Sequence, residues 1–247
     1  MRETTRRWRR GHGLLRCLNN YSGDNWHMKK PATPTRSTIR PSDLTFGLST
    51  CRRCLWIFYW FKVQAPLTMP LVSTLADMQE KLFQGAILRD IDPALGDGTI
   101  TKWGQFINSS KIKINGEETR WRFYGKYDVL GENSDGSLAI IDCKVSDSDR
   151  DSAAHYAPQL EAYAYSLENP AVGDGQRVDS MGLLVWNPDH AVSDGFKIRQ
   201  KYVPVPRDTS RFNALVEDLI TMLEGEIPAS GVDCQTCKFL TARNALD

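Results

Sequence analysis

The sequence lacks a long apolar segment. Its longest aromatic and aliphatic run, residues 55–61, is far shorter than the about 20 residues that a membrane-spanning helix needs. The N-terminal region carries arginines but neither the apolar stretch of a signal peptide nor a clear cleavage site. We therefore predict a cytoplasmic protein without membrane contact. In such a reducing setting the six cysteines suit metal binding or buried thiols better than disulfides.

The sequence also lacks a large excess of charge, since its formal net charge is +1. This balance hides an asymmetry, because residues 1–40 hold ten Lys/Arg and two Asp/Glu. The rest of the chain has 21 Lys/Arg and 28 Asp/Glu and carries a net charge of −7. Any contact with nucleic acid must therefore come from a local basic patch and not from the overall field of the protein.

The composition divides the chain at about residue 40. Residues 1–40 are rich in Arg, Thr, Pro and Asn and show no sustained apolar period, which predicts a basic, disordered extension. A basic arm that contacts nucleic acid is the alternative interpretation. Residues 41–247 alternate helical and strand patterns and predict one mixed α/β domain. The clearest segments are helices over 71–84, 153–169 and 208–228, and strands over 111–114, 120–130, 137–145, 180–188 and 196–206.

The strands between residues 111 and 145 predict an antiparallel meander with two turns. Asn115-Gly116 is a strong signal for a two-residue hairpin, and Ser134-Asp135-Gly136 predicts the second turn. If the second hairpin is centred on Asp135, Asp128 and Asp142 face each other across it. Lys144 then lies on the same face as Asp142, because side chains alternate along a strand.

Two facing carboxylates at a buried strand end are costly unless a positive charge lies between them. A divalent cation such as Mg²⁺ satisfies them, since it prefers oxygen ligands. A nearby lysine can orient water or offset negative charge on a phosphate, which is the chemistry of phosphodiester hydrolysis. The alternative is an ion pair of Asp142 with Lys126 or Lys144 that serves only the structure.

The segments "GKYDVL" and "GSLAIIDCK", together with Gln159 and Tyr163 as a Q-x-x-x-Y motif, resemble the PD-(D/E)XK nuclease superfamily in its RecB-like branch, which includes CRISPR-associated RecB-like exonucleases. The resemblance covers roughly residues 41 to 240. It implies a restriction-endonuclease-like core, with a central mixed sheet flanked by helices. The residues that it implies as functional are Asp128 and Asp142 as metal ligands, the Cys143 carbonyl as a third ligand, Lys144 as the catalytic lysine, Gln159 and Tyr163 as supporting residues, and Glu80 as an upstream ligand.

The resemblance also implies the reaction and its partners. It predicts a DNA nuclease that depends on Mg²⁺ or Mn²⁺ and acts as an exonuclease on single-stranded or frayed ends. DNA repair, recombination, or phage- or CRISPR-related metabolism would be its setting, with a helicase or recombination protein as a possible partner. The alternative is a catalytically inactive adaptor that binds nucleic acid.

Two C-x-x-C pairs flank the predicted core. Cys51 and Cys54 precede it, and Cys234 and Cys237 follow it. Four thiolates suit zinc or an iron–sulfur cluster, so we predict a metal site that joins the N- and C-terminal segments of the domain. The RecB-like relatives usually place one cysteine early and three late, and this chain departs from that division. Two unrelated buried or redox-active pairs are the alternative.

Overall fold

A computed structural model describes residues 29–65, 70–146 and 152–244 of the chain. The helices are α1 (Phe46–Thr50), α2 (Arg52–Phe61), α3 (Pro70–Leu82), α4 (Leu88–Ile91), α5 (Ala153–Glu168), α6 (Thr209–Glu224) and α7 (Gln235–Asn244). Short 3-10 turns cover Pro41–Leu44 and Pro93–Leu95. The strands are β1 (Thr38–Ile39), β2 (Thr99–Trp103), β3 (Phe106–Asn108), β4 (Lys113–Ile114), β5 (Glu117–Glu118), β6 (Arg122–Lys126), β7 (Val129–Glu132), β8 (Leu138–Val145), β9 (Val178–Val192) and β10 (Gly195–Pro204).

The central sheet has five strands in the order β10-β9-β8-β7-β2. Strands β8 and β9 are parallel and the other neighbours are antiparallel, so the sheet is mixed. The run Leu138–Ile141 at the start of β8 is buried on both faces of the sheet. Helix α5 follows β8, and its residues Leu160 and Ala164 share a core cluster with Leu138 and Ile140. This confirms the predicted mixed sheet flanked by helices.

The hairpin of β7 and β8 has the predicted register. Val129 pairs with Ile141 and Glu132 pairs with Leu138, which centres the turn on Asp135. Asp135 Oδ1 accepts a hydrogen bond from the backbone N–H of Ser137 at 3.0 Å, as aspartate commonly does in tight turns. If the pairing is continued by one residue beyond Val129 and Ile141, Asp128 lies opposite Asp142.

The meander differs from the prediction in its first strand. Asn115 and Gly116 form the expected turn, with φ values of 51° and 86°, but β4 pairs only with the two-residue strand β5. Strand β6 belongs to a second sheet, in which it pairs with β1 in parallel and with β3 in antiparallel orientation. The prediction of one strand over 120–130 was wrong because the hydrogen-bonding partner changes between β6 and β7. The antiparallel meander of the central sheet is β2-β7-β8.

The predicted long helices are present. Asp208 Oδ1 accepts a hydrogen bond from the Arg211 N–H at 3.0 Å and caps α6. One face of α6 is buried, including Phe212, Val216, Leu219 and Leu223. The whole aromatic run over 55–61 lies on α2, where Trp56 and Trp60 are nearly fully buried against the same core. No helix among the described residues is long and apolar enough to cross a membrane.

Residues 29–40 pack against the domain, in contrast to the predicted disordered extension. Strand β1 pairs with β6, and Ile39 has no exposed surface. The Arg36 N–H donates to the Tyr59 carbonyl at 3.2 Å, and the Thr35 hydroxyl donates to the Trp60 carbonyl at 2.6 Å. Composition alone did not predict that residues 29–40 pack on the domain, because this segment adds only one two-residue strand to the apolar core. The rest of the predicted extension, residues 1–28, lies outside the described residues.

Candidate active site and cysteine cluster

Asp128 lies in the gap between β6 and β7, one residue before the central sheet resumes. Its Oδ2 atom accepts a hydrogen bond from the backbone N–H of Cys143 on β8 at 2.6 Å. The Asp128 carbonyl in turn accepts a hydrogen bond from the Gly104 N–H at 2.7 Å. These two contacts fix the carboxylate beside the end of β8, next to Asp142.

Asp142 is buried near the end of β8, with 2% of its surface exposed. Its Oδ2 atom forms an ion pair with the Lys144 ammonium, and its Oδ1 atom accepts a hydrogen bond from Gln159 Nε2 at 3.0 Å. The Lys144 Nζ also lies 4.8 Å from the centre of the Tyr156 ring. The structure therefore brings Asp128, Asp142 and Lys144 together, and we call these three residues the acidic site.

Helix α5 supplies the residues beneath the acidic site. Gln159 and Tyr163 are one turn apart and both buried, and Gln159 Nε2 lies 3.4 Å from Tyr163 Oη. The Tyr163 hydroxyl donates to the Lys126 carbonyl at 2.8 Å, so it holds the end of β6. Pro158 sits inside the helix, yet the two side chains converge on the hairpin as the sequence predicts.

The Asp128 carboxyl and the Lys144 ammonium of the acidic site both have raised pKa values. Burial raises the pKa of Asp128 to about 8, and the charge of Asp142 adds to this rise. Burial lowers the pKa of Lys144, but the two carboxylates outweigh burial and leave it raised. One ammonium therefore does not fully compensate two buried carboxylates. This donor set fits a divalent cation, which prefers carboxylate oxygens and tolerates retained water.

The Cys143 side chain does not resemble a metal ligand. It is 5% exposed, and burial together with the charge of Asp128 raises the pKa of its thiol well above the ordinary value. The thiol packs with Val129, Ile141 and other apolar residues as a small hydrophobe. Any contribution of Cys143 to a cation would come from its backbone carbonyl.

Glu80 of α3 lies at the rim of the acidic site. Both of its carboxylate oxygens are 3.1 Å from Lys126 Nζ, and its negative charge contributes to the raised pKa of Asp128. Its ligand atoms do not join those of Asp128 and Asp142 in a compact triad. Among the described residues, only the four cysteines place three or more such atoms within 4.8 Å of one another. Its role as a ligand remains a prediction.

Two residues near the acidic site were not predicted from the sequence. Phe46 packs edge-on against Tyr156, with ring centres 5.7 Å apart, and Tyr156 in turn faces Lys144. Tyr156 lies three residues before Gln159 on the same helix face, so the helical period could have indicated it. Nothing in the local pattern around Phe46 points to the site, because the contact joins segments more than 100 residues apart.

The four cysteines of the two C-x-x-C pairs converge, and we call them the cysteine cluster. The Cys54 sulfur lies 3.6 Å from the sulfurs of both Cys234 and Cys237, and the Cys51 sulfur lies 3.8 Å from that of Cys237. The Gly231 N–H donates to the Cys51 sulfur at 3.4 Å. The cluster thus joins the N-terminal end of α2 to the N-terminal end of α7.

The pKa values in the cysteine cluster follow from burial and from mutual contact. Burial raises the pKa of Cys51, but backbone N–H groups of Cys54 and Gly231 outweigh it and bring the value to about 7. Burial raises the pKa of Cys54, and its sulfur neighbours raise it further. Burial also raises the pKa of Cys237. Four sulfurs held this close together are the donor set that a bound cation would stabilise.

Comparison with known families identifies the superfamily of the chain. The model of the PD-(D/E)XK nuclease superfamily matches residues 71–242, and the chain belongs to this superfamily. The match includes the acidic site, α5 and the second cysteine pair, whereas Cys51 and Cys54 precede it. The family implies a metal-dependent nuclease, which is a hydrolase that acts on nucleic acid.

Solved structures share the fold at low sequence identity. The crystal structure of SSO0001 is 20% identical, with a TM-score of 0.51 over 83% of this chain and 85% of that chain. An alkaline exonuclease from Laribacter hongkongensis is 11% identical, with a TM-score of 0.42 over 85% of this chain and 94% of that chain. The similarity to the SSO0001 structure concerns the fold alone. A comparison with curated protein sequences finds no match.

Proposed function

We propose that this protein hydrolyses phosphodiester bonds of DNA with Mg²⁺ or Mn²⁺ held by Asp128 and Asp142. The observation that carries the proposal is the pair of carboxylates at the β7–β8 hairpin, which share one lysine. The burial of the pair and the raised pKa of Asp128 support a cation between them. In this proposal the Cys143 carbonyl is a further metal ligand, and Glu80 is a ligand at the rim of the acidic site.

Each remaining residue has a defined task. The bound cation would supply an activated water and stabilise negative charge on the phosphate. Lys144, already paired with Asp142, offers its ammonium to the phosphate oxygens or to the attacking water. Gln159 holds the Asp142 carboxylate through Oδ1, and Tyr163 holds the backbone of β6 through the Lys126 carbonyl. Both act through other groups and are positioning residues.

A more specific function follows from the resemblance to the RecB-like branch. The Gln159–Tyr163 pair on α5 supports placement in the RecB-like branch, and an exonuclease that acts on single-stranded or frayed ends follows from that resemblance. DNA repair, recombination, or phage- or CRISPR-related metabolism in the cytoplasm, with a helicase or recombination partner, belongs to the same proposal. An inactive adaptor that only binds nucleic acid is the competing function.

One experiment separates the enzyme from the adaptor. End-labelled single- and double-stranded DNA is incubated with the protein in Mg²⁺, in Mn²⁺ and without divalent cation. Asp142→Ala and Lys144→Ala test the acidic site, and Asp97→Ala, an exposed acid paired with Arg89, is the matched control. We expect metal-dependent cutting that both site variants lose and that the control keeps. Binding without cutting in the wild type, or cutting that survives both site variants, would overturn the proposal.

For the cysteine cluster we propose one tetrahedral Zn²⁺ ion. Zinc–sulfur bonds of about 2.3 Å in a tetrahedron set the sulfurs about 3.8 Å apart. Three sulfur pairs here lie 3.6 to 3.8 Å apart. An iron–sulfur cluster spreads its thiolates over several irons, which separates them further. We expect a colourless protein with one zinc per chain by elemental analysis; a brown protein with iron and acid-labile sulfide would overturn the assignment.

A further inference from the structure

An exposed strip of basic and aromatic side chains lies next to the acidic site. Along β6, Phe123 points inward and packs against Tyr165 of α5 and Phe212 of α6, with ring centres 5.8 and 5.9 Å apart. The alternate residues Arg122, Tyr124 and Lys126 therefore share the opposite face of the strand. Helices α5 and α6 cover one side of β6, and Tyr124 on the other side is 37% exposed.

Strand β3 adds a second aromatic ring to this face. Phe106 is 64% exposed, and its ring stacks on that of Tyr124 with centres 5.3 Å apart and planes 12° apart. Two parallel exposed rings cost free energy in water, since they leave apolar surface unburied. Flanked by Arg122 and Lys126, they combine π-faces for bases with positive charges for phosphates, the combination that single-stranded nucleic acid requires.

The strip runs directly into the acidic site. Lys126 is the register partner of Phe106, its ammonium contacts Glu80, and its carbonyl accepts the Tyr163 hydrogen bond. Asp128 follows two residues later. From Tyr124 to Asp128 the chain spans at most about 13 Å, so a base stacked on the strip belongs to a nucleotide near the one at Asp128.

We propose that Phe106 and Tyr124, with Arg122 and Lys126, form a platform that binds unpaired bases of the substrate beside the acidic site. This inference rests on the proposed nuclease function. It assigns the proposed preference for single strands to these four residues. Paired bases stack within their own duplex and do not offer a free π-face to protein side chains. The platform thus selects single-stranded or frayed DNA by stacking and not by reading sequence.

Binding is measured in an Asp142→Asn background, so that cutting does not interfere and no chelator disturbs the cysteine cluster. Fluorescence anisotropy compares a short single strand, an abasic strand of the same length and a duplex at fixed salt. We expect Phe106→Ala and Tyr124→Ala each to weaken binding of the base-containing strand at least about fivefold, and to leave the abasic strand unaffected. Tyr124→Phe keeps the ring and should bind normally.

Phe239→Ala is the matched control, because Phe239 on α7 is 66% exposed, about the same as Phe106. Unchanged affinity in both alanine variants, or equal loss on the abasic strand, would overturn the platform. The cleavage assay on the wild type decides the nuclease function separately. A protein that binds through the rings without cutting DNA would keep the platform and reject the enzyme.

Discussion

The Asp128 carboxylate is bound to the backbone of Cys143, with Oδ2 and N 2.6 Å apart. This contact ties the first acid to the strand that carries the second acid and the lysine. A strand end is otherwise free to fray, and a carboxylate on it would move away from its like-charged neighbour. The backbone hydrogen bond therefore keeps the Asp128 carboxyl next to Asp142.

The stability of the protein without divalent cation should fall as pH rises from about 4 to about 8. The pKa of Asp128 is about 8 in the folded state, against about 3.9 in an unfolded chain, so the folded state binds more protons in this window. Thermal unfolding between pH 5 and 8.5 measures the effect. Added Mg²⁺ should raise the melting temperature more at pH 8 than at pH 5, because the cation replaces the proton.

Asp128→Asn is the comparison for that experiment. It keeps the shape of the side chain and leaves the cysteine cluster intact, so the difference between the two proteins isolates this carboxylate. The variant should show a flatter pH dependence and a smaller response to Mg²⁺. Parallel curves for both proteins would mean that Asp128 does not carry the raised pKa.

Gln159→Leu should raise the Mg²⁺ concentration that gives half-maximal cutting. The leucine fills a similar volume but removes the hydrogen bond to Asp142 Oδ1, and loss of such outer contacts costs roughly 10- to 100-fold in metal affinity or activity. The Mg²⁺ titration of the cleavage rate is the measurement. Tyr163→Phe is the companion variant, since it removes the bond to the Lys126 carbonyl and the 3.4 Å contact with Gln159 but leaves the bond from Gln159 to Asp142 in place. An unchanged Mg²⁺ dependence in Gln159→Leu would exclude this positioning role.

Arg207→Ala should destabilise the fold by about 3 kcal/mol, because it leaves the buried Glu161 carboxylate without a cation and also removes the ion pair with Glu168. Arg207 Nε donates to Glu161 Oε2 at 2.9 Å, and the Glu161 side chain is 3% exposed. Arg177→Ala is the control, since its ion pairs with Asp135 and Asp179 are exposed and worth at most about 1 kcal/mol. Denaturant unfolding measures both. Equal losses would show that the hydrogen bond from the Asp208 N–H, already present at 2.6 Å, is enough to stabilise the Glu161 carboxylate.

The acidic site was predictable because its geometry is local in sequence. A turn centred on Asp135 and the two-residue period of strands suffice to place Asp128, Asp142 and Lys144 together. The family resemblance added Gln159 and Tyr163, which the helical period sets on one face of α5. The platform was not predictable in this way. The alternation over 120–130 indicates a strand, but it does not show that β6 leaves the central sheet to pair with β3. Only this change of partner brings Phe106 onto Tyr124.

Cys237→Ser should release the ion from the cysteine cluster and lower the melting temperature. Its sulfur lies within 3.8 Å of two other cysteine sulfurs, and metal-binding free energy at such a site contributes to folding free energy. Helix α7 should then show faster amide hydrogen exchange, whereas β8 in the central sheet should keep its protection. Cys143→Ala is the control, because it removes a buried thiol that belongs to the apolar core, and it should retain a full equivalent of metal. Full metal content in Cys237→Ser, or faster exchange in β8 with α7 unchanged, would show that the cluster does not hold the two ends of the domain together.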